Sequence, residues 1–363
     1  MKNIGLIINP IAGMGGRFGL KGTDGESYRK AKEMGAQPVS SQRAIEFLNN
    51  IRVQVKLIVP TGVMGEEVIL KSKFKNNYEK IKCTDGNDTT SNDTKNCVKE
   101  MLDKVDLLIF VGGDGTARDV YDIIKHDYPS LGIPSGVKMF SAVFANTPKD
   151  GAKILEKFCF NETNLELREV LDIDENQYRN NKLTIKLYGY LLVPVVKEII
   201  SNSKIEYNYN EEDLEGIVNY VKEIIKKDEL YLLGPGSTIY FIAKSLGLEK
   251  TLLGVDALLN GSIIAKDLNE KQIIELISKY KSKIIVTPIG GQGFLFGRGN
   301  QQFSPDVLRK IGRDNIIVVS SKDKLMSLRY LMVDTGDEEL NDMLRGFIRV
   351  ITGYRQEKVV KLI

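Results

Sequence analysis

The chain has 363 residues, 42% of them hydrophobic and 27% charged, which is typical of a globular protein long enough for two domains. Its formal net charge of +3 is nearly balanced and indicates no surface for nucleic acid or membranes. The apolar runs are far shorter than the about 20 residues that a membrane span requires. The N-terminus lacks the features of a signal peptide, so we expect a cytoplasmic protein with no nucleic-acid or membrane partner.

The cysteines and the single histidine limit the chemistry. Cys83, Cys97 and Cys159 are odd in number and lack paired metal-ligand spacing, so we expect reduced thiols. His126 lies on the polar side of a predicted helix, which disfavours a catalytic triad that depends on histidine.

In the first part of the chain, short runs rich in Ile and Val alternate with segments of helical periodicity. KNIGLIINP, VQVKLIVP and VDLLIFVGG are predicted strands, each followed by a helix-like stretch. This alternation is typical of parallel βαβ units. Residues 1–162 are therefore predicted to form a Rossmann-like domain with a parallel sheet.

The pattern then changes to β from about residue 163 to 195, where LELREVLDID and KLTIKLYGYLLVP flank the turn-like ENQYRNN. After a charged helical segment, strand-plus-turn units resume with ELYLLGPGS, TLLGVDALLNG, KIIVTPIGGQG and NIIVVSS. We predict a second domain over residues 163–363, with a β-rich start and an α/β portion at about 229–325. The predicted fold class is α/β, with the two α/β regions joined through a β-rich connection.

Glycine-rich segments follow nearly every predicted strand. In an open parallel sheet, ligands bind outside the carboxyl ends of the strands. Glycine lets backbone N–H groups approach phosphate oxygens, and a helix that starts just after adds the positive end of its dipole. One such segment is most simply a tight turn, but five together favour a phosphate-bearing ligand. They are NPIAGMGGRFG (9–19), VGGDGT (111–116), GIPSGVK (132–138), GPGST (234–238) and GGQGFLFGRGNQQ (290–302).

The segment VGGDGTARDVYDII carries the sharpest signal. Thr116 is predicted to cap the following helix, and Asp114 lies in the turn. A carboxylate beside a polyphosphate is repelled unless it coordinates a cation or accepts a proton from an attacking hydroxyl. Phosphoryl transfer requires both tasks. The sequence has neither a Walker-type P-loop nor the protein-kinase motifs.

GGDGT after a strand, with an NPxAGxGG loop about 100 residues upstream, resembles the superfamily of NAD kinases, diacylglycerol kinases and sphingosine kinases. Over most of its length the chain is similar to the predicted ATP- or polyphosphate-dependent NAD kinases and to the AcoX proteins. By position, the resemblance implies that Asp114 is the catalytic carboxylate and that two loops hold the phosphate donor. Their residues are Asn9, Pro10, Gly13, Gly15, Gly112, Gly113, Gly115 and Thr116.

Polar groups in the second half are candidates for the acceptor site. Arg298, Asn300, Gln301 and Gln302 lie in a glycine-flanked loop and suit ribose hydroxyls, a nucleobase edge or a pyrophosphate, with a polar surface loop as the alternative. Asp256 is a candidate for a sugar hydroxyl or a helix cap. The remaining substrate-side candidates are Gly234, Gly236, Ser237, Thr238, Gly291, Gln292 and Gly293.

We therefore predict a small-molecule kinase that transfers a phosphoryl group from ATP or polyphosphate to a hydroxyl of NAD. Mg²⁺ would bridge donor phosphates held by the Gly13–Gly16 and Gly112–Gly115 loops, with Ser135 and Gly136 beside them and Lys138 neutralising charge. The alternatives are a kinase for another polar alcohol or a lipid, or a nucleotide-binding regulator without turnover. The metal ligands and the formation of a homo-oligomer stay open.

Overall fold

The structure is a computed structural model that describes residues 1–20, 26–84, 89–136, 139–173, 185–196, 199–200, 211–289 and 293–363. The chain divides into two compact units. Unit 1 consists of Met1–Met14 and Gly22–Ser203, and unit 2 consists of Gly15–Lys21 and Lys204–Ile363. Within the described ranges, no helix is both long enough and apolar enough to cross a membrane.

Unit 1 contains a sheet of five parallel strands, which confirms the predicted α/β fold of the N-terminal region. The strands are β1 (Asn3–Ile8), β2 (Lys56–Pro60), β3 (Tyr78–Ile81), β4 (Leu107–Gly112) and β5 (Ser130–Pro134). They lie in the order β3-β2-β1-β4-β5. Strands β1 and β4 are almost completely buried, which is why their sequences are continuous apolar runs rather than alternating ones.

Helices cover this sheet and enclose a core that includes Phe47, Phe110 and Phe144. They are α1 (Glu26–Glu33), α2 (Val39–Asn50), α3 (Glu66–Ile69), α4 (Ser91–Met101), α5 (Asp114–Ile124) and α6 (Pro148–Cys159), with short 3-10 turns at Gly62–Met64 and Leu102–Lys104. Local sequence sets several of their ends. The Thr147 side chain, for example, accepts a hydrogen bond from the backbone N–H of Asp150 and so caps α6.

An antiparallel hairpin of β6 (Asn164–Ile173) and β7 (Ile185–Val195) completes unit 1. Its Val170 and Leu191 are fully buried in the same core as the parallel sheet. The division between the units therefore falls between Ser203 and Lys204, later than the boundary after residue 162 that the change of pattern predicted. The predicted turn ENQYRNN lies outside the described residues.

Unit 2 contains a mixed seven-stranded sheet. Its strands are β8 (Leu230–Leu233), β9 (Asp256–Leu259), β10 (Ser262–Ala265), β11 (Ser282–Val286), β13 (Ile316–Val319), β15 (Gly346–Gly353) and β16 (Gln356–Leu362). The order is β10-β9-β8-β11-β13-β15-β16, with parallel pairing from β8 to β15 and antiparallel pairing at both edges. Two short strands, β12 (Phe294–Phe296) and β14 (Met332–Val333), pair separately.

Helices cover both faces of the second sheet. They are α7 (Glu211–Ile224), α8 (Ser237–Ser245), α9 (Glu270–Ile277), α10 (Pro305–Ile311), α11 (Lys322–Met326) and α12 (Glu338–Leu344), with 3-10 turns at Gly16–Phe18 and Arg313–Asn315. Alternate residues of β8 belong to different cores: Leu230 and Leu232 to one, Tyr231 and Leu233 to the other. Two buried faces require this, since side chains of a strand point alternately up and down.

A disulfide joins Cys83, after β3, to the fully buried Cys97 of α4. The expectation of reduced thiols was therefore wrong for this pair. The two cysteines are 14 positions apart and belong to no recognisable motif. Their sulfurs meet because α4 packs beside the end of β3. Cys159 is a free, half-buried thiol, and burial raises its pKa.

Replacing Cys83 by serine is expected to lower the free energy of unfolding by about 3 kcal/mol, because the cross-link closes a loop whose ends are separated by 14 positions. Denaturant unfolding of both proteins, with and without reductant, measures this. Reductant should destabilise the wild type and leave the serine variant unchanged. Equal stability of the two proteins under oxidising conditions would show that the cross-link contributes nothing.

Candidate functional site

The sheet of unit 1 reverses its direction of strand addition between β1 and β4. The chain continues from β1 to β2 on one side, and from β4 to β5 on the other. Such a switch point leaves a crevice beyond the carboxyl ends of the strands, where open α/β sheets bind their ligands. The loop Asn9–Met14 and the loop that carries GGDGT leave the sheet here.

The GGDGT loop passes from strand to helix with almost no intervening turn. Strand β4 ends at Gly112, Gly113 is the N-cap, and α5 begins at Asp114. Thr116 therefore lies in the first turn of the helix, which corrects its predicted role as the cap. The first intrahelical bond runs from the Ala117 N–H to the Gly113 carbonyl, so the three preceding N–H groups lack an intrahelical acceptor and can bind an anion.

Three loops of unit 1 meet beside this helix end. A Cβ at Gly13, where φ is +82°, would lie 2.1 Å from the Ser135 carbonyl oxygen, and one at Gly136 would lie 2.8 Å from the Gly113 Cα. Only glycine allows the backbones to approach this closely. The structure thus brings together the loops after β1, β4 and β5, which the sequence pattern indicated as three separate glycine-rich segments.

Hydrogen bonds fix the β1 loop to α5. The Asn9 side chain donates to the Thr116 hydroxyl over 2.9 Å, and its carbonyl oxygen accepts from the Ile11 N–H over 3.2 Å. The backbone N–H of Asn9 donates to Val111. Asn9 therefore shapes the loop, and Pro10 follows it at the end of β1.

Asp114 accepts hydrogen bonds at both carboxylate oxygens, from the backbone N–H groups of Phe140 (2.7 Å) and Ser141 (3.0 Å). Burial raises the pKa of Asp114 from 3.8 to about 6, against the opposing effects of these hydrogen bonds and of the Arg118 charge. The carboxylate can therefore exchange a proton close to neutral pH, as a general base must. The Ser141 side chain also hydrogen-bonds to this carboxylate and lowers its pKa. No sequence motif marks Phe140 or Ser141, because chain folding alone brings them to Asp114.

The loop after β5 is hydrogen-bonded to the GGDGT loop. Backbone N–H groups of Ser135 and Gly136 both donate to the Gly112 carbonyl, at 3.0 and 3.2 Å. Among the residues described in unit 1, the buried Ser135 hydroxyl has no hydrogen-bond partner. Lys138 lies outside the described residues.

In unit 2, the segment Gly234–Thr238 connects β8 to α8, with Gly236 as the N-cap. Thr238 is buried in the first turn of this helix, and Ser237 precedes it. Gly293 lies just before β12, while Gly291 and Gln292 lie outside the described residues.

Arg298 and Asn300 are directed into the protein. The Arg298 guanidinium lies 3.7 Å from the Asp334 carboxylate and 4.4 Å from the centre of the Phe294 ring, and both charged residues are buried. The Asn300 amide donates to the Leu295 carbonyl and accepts from the Gly297 N–H. These contacts fix both side chains within the loop, and their role as ligand contacts stays a prediction.

Replacing Arg298 by alanine is expected to lower the free energy of unfolding by about 3 to 5 kcal/mol, because Asp334 would lose its buried ion-pair partner. Denaturant unfolding measures the loss. The double variant Arg298→Met with Asp334→Leu should recover much of it by removing both charges. A variant as stable as the wild type would show that the pair is not a support of this loop.

Gln301 and Gln302 lie against the N-terminal glycines that unit 2 includes. A Cβ at Gly16 would lie 3.0 Å from the Gln301 side chain, and one at Gly19 would lie 3.6 Å from that of Gln302. Gly15 and Gly16 are therefore grouped with the Gln301 loop in unit 2 rather than with the GGDGT loop of unit 1. The sequence had placed them with Gly13 because all three share one glycine-rich segment.

Asp256 is fully buried at the start of β9. Its carboxylate accepts from the backbone N–H and the hydroxyl of Thr251 and from the backbone N–H of Asp267, at 2.6 to 2.8 Å. These protein groups take the place of the sugar hydroxyl or helix N-terminus that the sequence suggested. Asp256 therefore organises the turn before β9.

Comparison with known proteins adds the family. A search of curated proteins finds no match. Among solved structures, UDP-GlcNAc 2-epimerase from Methanocaldococcus jannaschii is similar over 92% of this chain and 78% of its own, at 12% identity, but the TM-score of 0.23 supports no conclusion about fold or function.

Two family models match consecutive parts of the chain. The ATP-NAD kinase N-terminal domain matches residues 4–163, and the ATP-NAD kinase C-terminal domain matches residues 227–362. The first includes the GGDGT loop, and the second includes the segment Gly234–Thr238 and the loop that carries Arg298. Because the two models together match most of the chain, the protein belongs to the ATP-NAD kinase family and is a phosphotransferase that acts on an NAD-like substrate.

Proposed function

We propose that the protein transfers the terminal phosphoryl group of ATP to a hydroxyl of NAD and so forms NADP. The observation that carries this proposal is Asp114: a carboxylate with a pKa of about 6 at the N-terminus of α5, beside three converging glycine loops. A switch point with free N–H groups suits a polyphosphate, and a carboxylate near neutral pKa suits deprotonation of an alcohol.

The donor phosphates are assigned to the N–H groups of Asp114, Gly115 and Thr116, where the dipole of α5 stabilises negative charge. Among the described residues, no cluster of three or more acidic, histidine or cysteine side chains is present. Enzymes that use ATP commonly hold Mg²⁺ through one or two carboxylates, substrate phosphates and water. When bound, Mg²⁺ would neutralise charge on the phosphates.

In the proposed reaction, Asp114 accepts the proton of the acceptor hydroxyl. The hydroxyl oxygen forms a bond to the terminal phosphorus, the bond from that phosphorus to the bridging oxygen breaks, and ADP leaves with that electron pair. The backbone N–H groups of Phe140 and Ser141 orient the carboxylate. Lys138 is proposed to neutralise charge on the transferred group.

An acceptor screen tests the proposal. Purified protein is incubated with Mg²⁺, ATP labelled at the terminal phosphate and one acceptor at a time: NAD, other polar alcohols, diacylglycerol or sphingosine. Label is expected in NADP. A parallel series with polyphosphate as donor decides the phosphoryl source. Label in a lipid and none in NADP would overturn the choice of acceptor, and label in no acceptor would favour a nucleotide-binding regulator.

A further inference from the structure

Unit 2 has a switch point of its own, between β8 and β11. These strands are parallel neighbours, but the chain leaves β8 towards β9 on one side of the sheet and leaves β11 towards β13 on the other. A crevice for a ligand is expected beyond their carboxyl ends. The segment Gly234–Thr238 and Thr287 lie at these ends.

The N-terminus of α8 opens at this edge. Gly236, with φ of +119°, is the N-cap of this nine-residue helix, and the Tyr240 N–H makes the first intrahelical bond, to the Gly236 carbonyl. The N–H groups of the first turn therefore have no intrahelical acceptor, and the helix dipole is positive here. The same arrangement occurs at α5 of unit 1.

Two threonine hydroxyls beside this helix end are buried without a hydrogen-bond partner among the described residues: those of Thr238 and Thr287. Their side chains are 1% and 3% exposed. The Thr287 methyl group would lie 3.2 Å from a Cβ at Gly236, so Thr287 lies beside the N-cap of α8. Buried hydroxyls are normally hydrogen-bonded, so two unpartnered ones at one helix end indicate a site where a ligand accepts hydrogen bonds.

We propose that the N-terminus of α8, with the Thr238 and Thr287 hydroxyls, binds a phosphate or pyrophosphate group. The first-turn N–H groups and both hydroxyls can all donate to anionic oxygens, which requires an acceptor-rich ligand rather than a cation. The assignment of that group to the pyrophosphate of the acceptor dinucleotide rests on the proposed function. The site itself lies wholly within unit 2.

Threonine-methyl NMR of the full-length protein tests the proposal. The probes are NAD, inorganic pyrophosphate, a non-hydrolysable ATP analogue and adenosine, which lacks phosphate. NAD and pyrophosphate are expected to shift the Thr238 and Thr287 methyl signals, and adenosine is not. The Thr116 signal reports on the GGDGT loop in the same spectra. Shifts of Thr238 and Thr287 with the ATP analogue alone would keep the phosphate site and overturn its assignment to the acceptor.

Substitution separates a ligand role from a structural one. Thr238→Val and Thr287→Val should each weaken binding of pyrophosphate at this site at least about tenfold, because a hydrogen bond to a charged group is lost. Neither should lower the melting temperature, since each removes an unpartnered buried hydroxyl. The matched control is Thr335→Val: its hydroxyl donates to the Asn341 side chain over 2.7 Å, so this variant should melt lower and bind normally.

The outcomes separate this site from the proposed reaction. Methyl shifts with NAD but no NADP in the acceptor screen would support the phosphate site and reject NAD as the phosphoryl acceptor. No shift of Thr238 or Thr287 with any probe, or unchanged affinity in both valine variants, would overturn the site and leave buried water as the partner of these hydroxyls.

Discussion

Asp114→Asn is expected to lower turnover at least about 100-fold while leaving the affinity for ATP unchanged or slightly higher. The loss of turnover follows because an amide cannot accept the proton of the acceptor hydroxyl. The affinity for ATP should not fall, because the substitution removes a negative charge that repels the phosphates. Steady-state kinetics of NADP formation and a direct ATP titration measure the two effects. Turnover near that of the wild type would remove Asp114 from the mechanism.

The pH profile distinguishes a base from a structural anchor. Because the pKa of Asp114 is raised by burial to about 6, its ionised form is populated above about pH 6. Wild-type turnover should therefore fall as the pH drops through about 6, and the residual turnover of Asp114→Asn should lack this fall. If the carboxylate only anchors the Phe140 and Ser141 N–H groups, the two pH profiles should have the same shape.

Stability provides the control for this variant. The folded protein binds the Asp114 proton more tightly than the unfolded chain does, so the contribution of this group to stability is fully present below about pH 3.8 and is lost as pH rises through about 6. Asparagine removes that penalty at pH 8, but its single carbonyl oxygen accepts only one of the two backbone N–H groups. The melting temperature is therefore expected to change little.

Gly115→Val is expected to abolish ATP binding with little loss of stability. Among the described residues outside the backbone of α5, a Cβ at Gly115 would meet the Arg118 guanidinium alone, at 3.6 Å, so we expect the side chain to fit without disturbing the backbone. Valine and glycine also differ little in helix propensity. The added methyl groups would occupy the space that the phosphates need above the first turn of α5. Calorimetric titration of ATP and a thermal melt measure the two results.

Two further glycine variants are controls for this experiment. Gly115→Ala should reduce ATP affinity less than Gly115→Val, since one methyl group intrudes less than three carbon atoms. Gly112→Ala should instead destabilise the fold by about 1 to 3 kcal/mol, because its Cβ would lie 2.3 Å from the Thr116 hydroxyl. Normal ATP binding by Gly115→Val would show that the GGDGT turn is structural and does not hold phosphate.

Local sequence patterns were sufficient to predict strands β1, β2 and β4 of unit 1 and the loops that follow them, but not strands β3 and β5. KNIGLIINP forms β1 and VDLLIFVGG forms β4, because a strand buried on both faces must be apolar along its length. The functional loops could be predicted as well, since parallel strands end at one edge of their sheet. The strand order could not, because β1 pairs with β4 through contacts such as Ile4 with Leu107, which no local pattern records.

The roles of the polar side chains depended on the folded chain. Arg298 and Asp256 lie in segments that suggest ligand contacts. In the folded chain, Arg298 forms an ion pair with Asp334, and the Asp256 carboxylate accepts a hydrogen bond from the backbone N–H of Asp267. Thr287, in contrast, follows an apolar strand without any motif, and burial leaves its hydroxyl unpartnered. A buried polar group must find its partner in three dimensions, and that partner is often distant in sequence. Residue type and spacing therefore identify which groups could bind a ligand, whereas long-range packing decides which of them the protein itself already occupies.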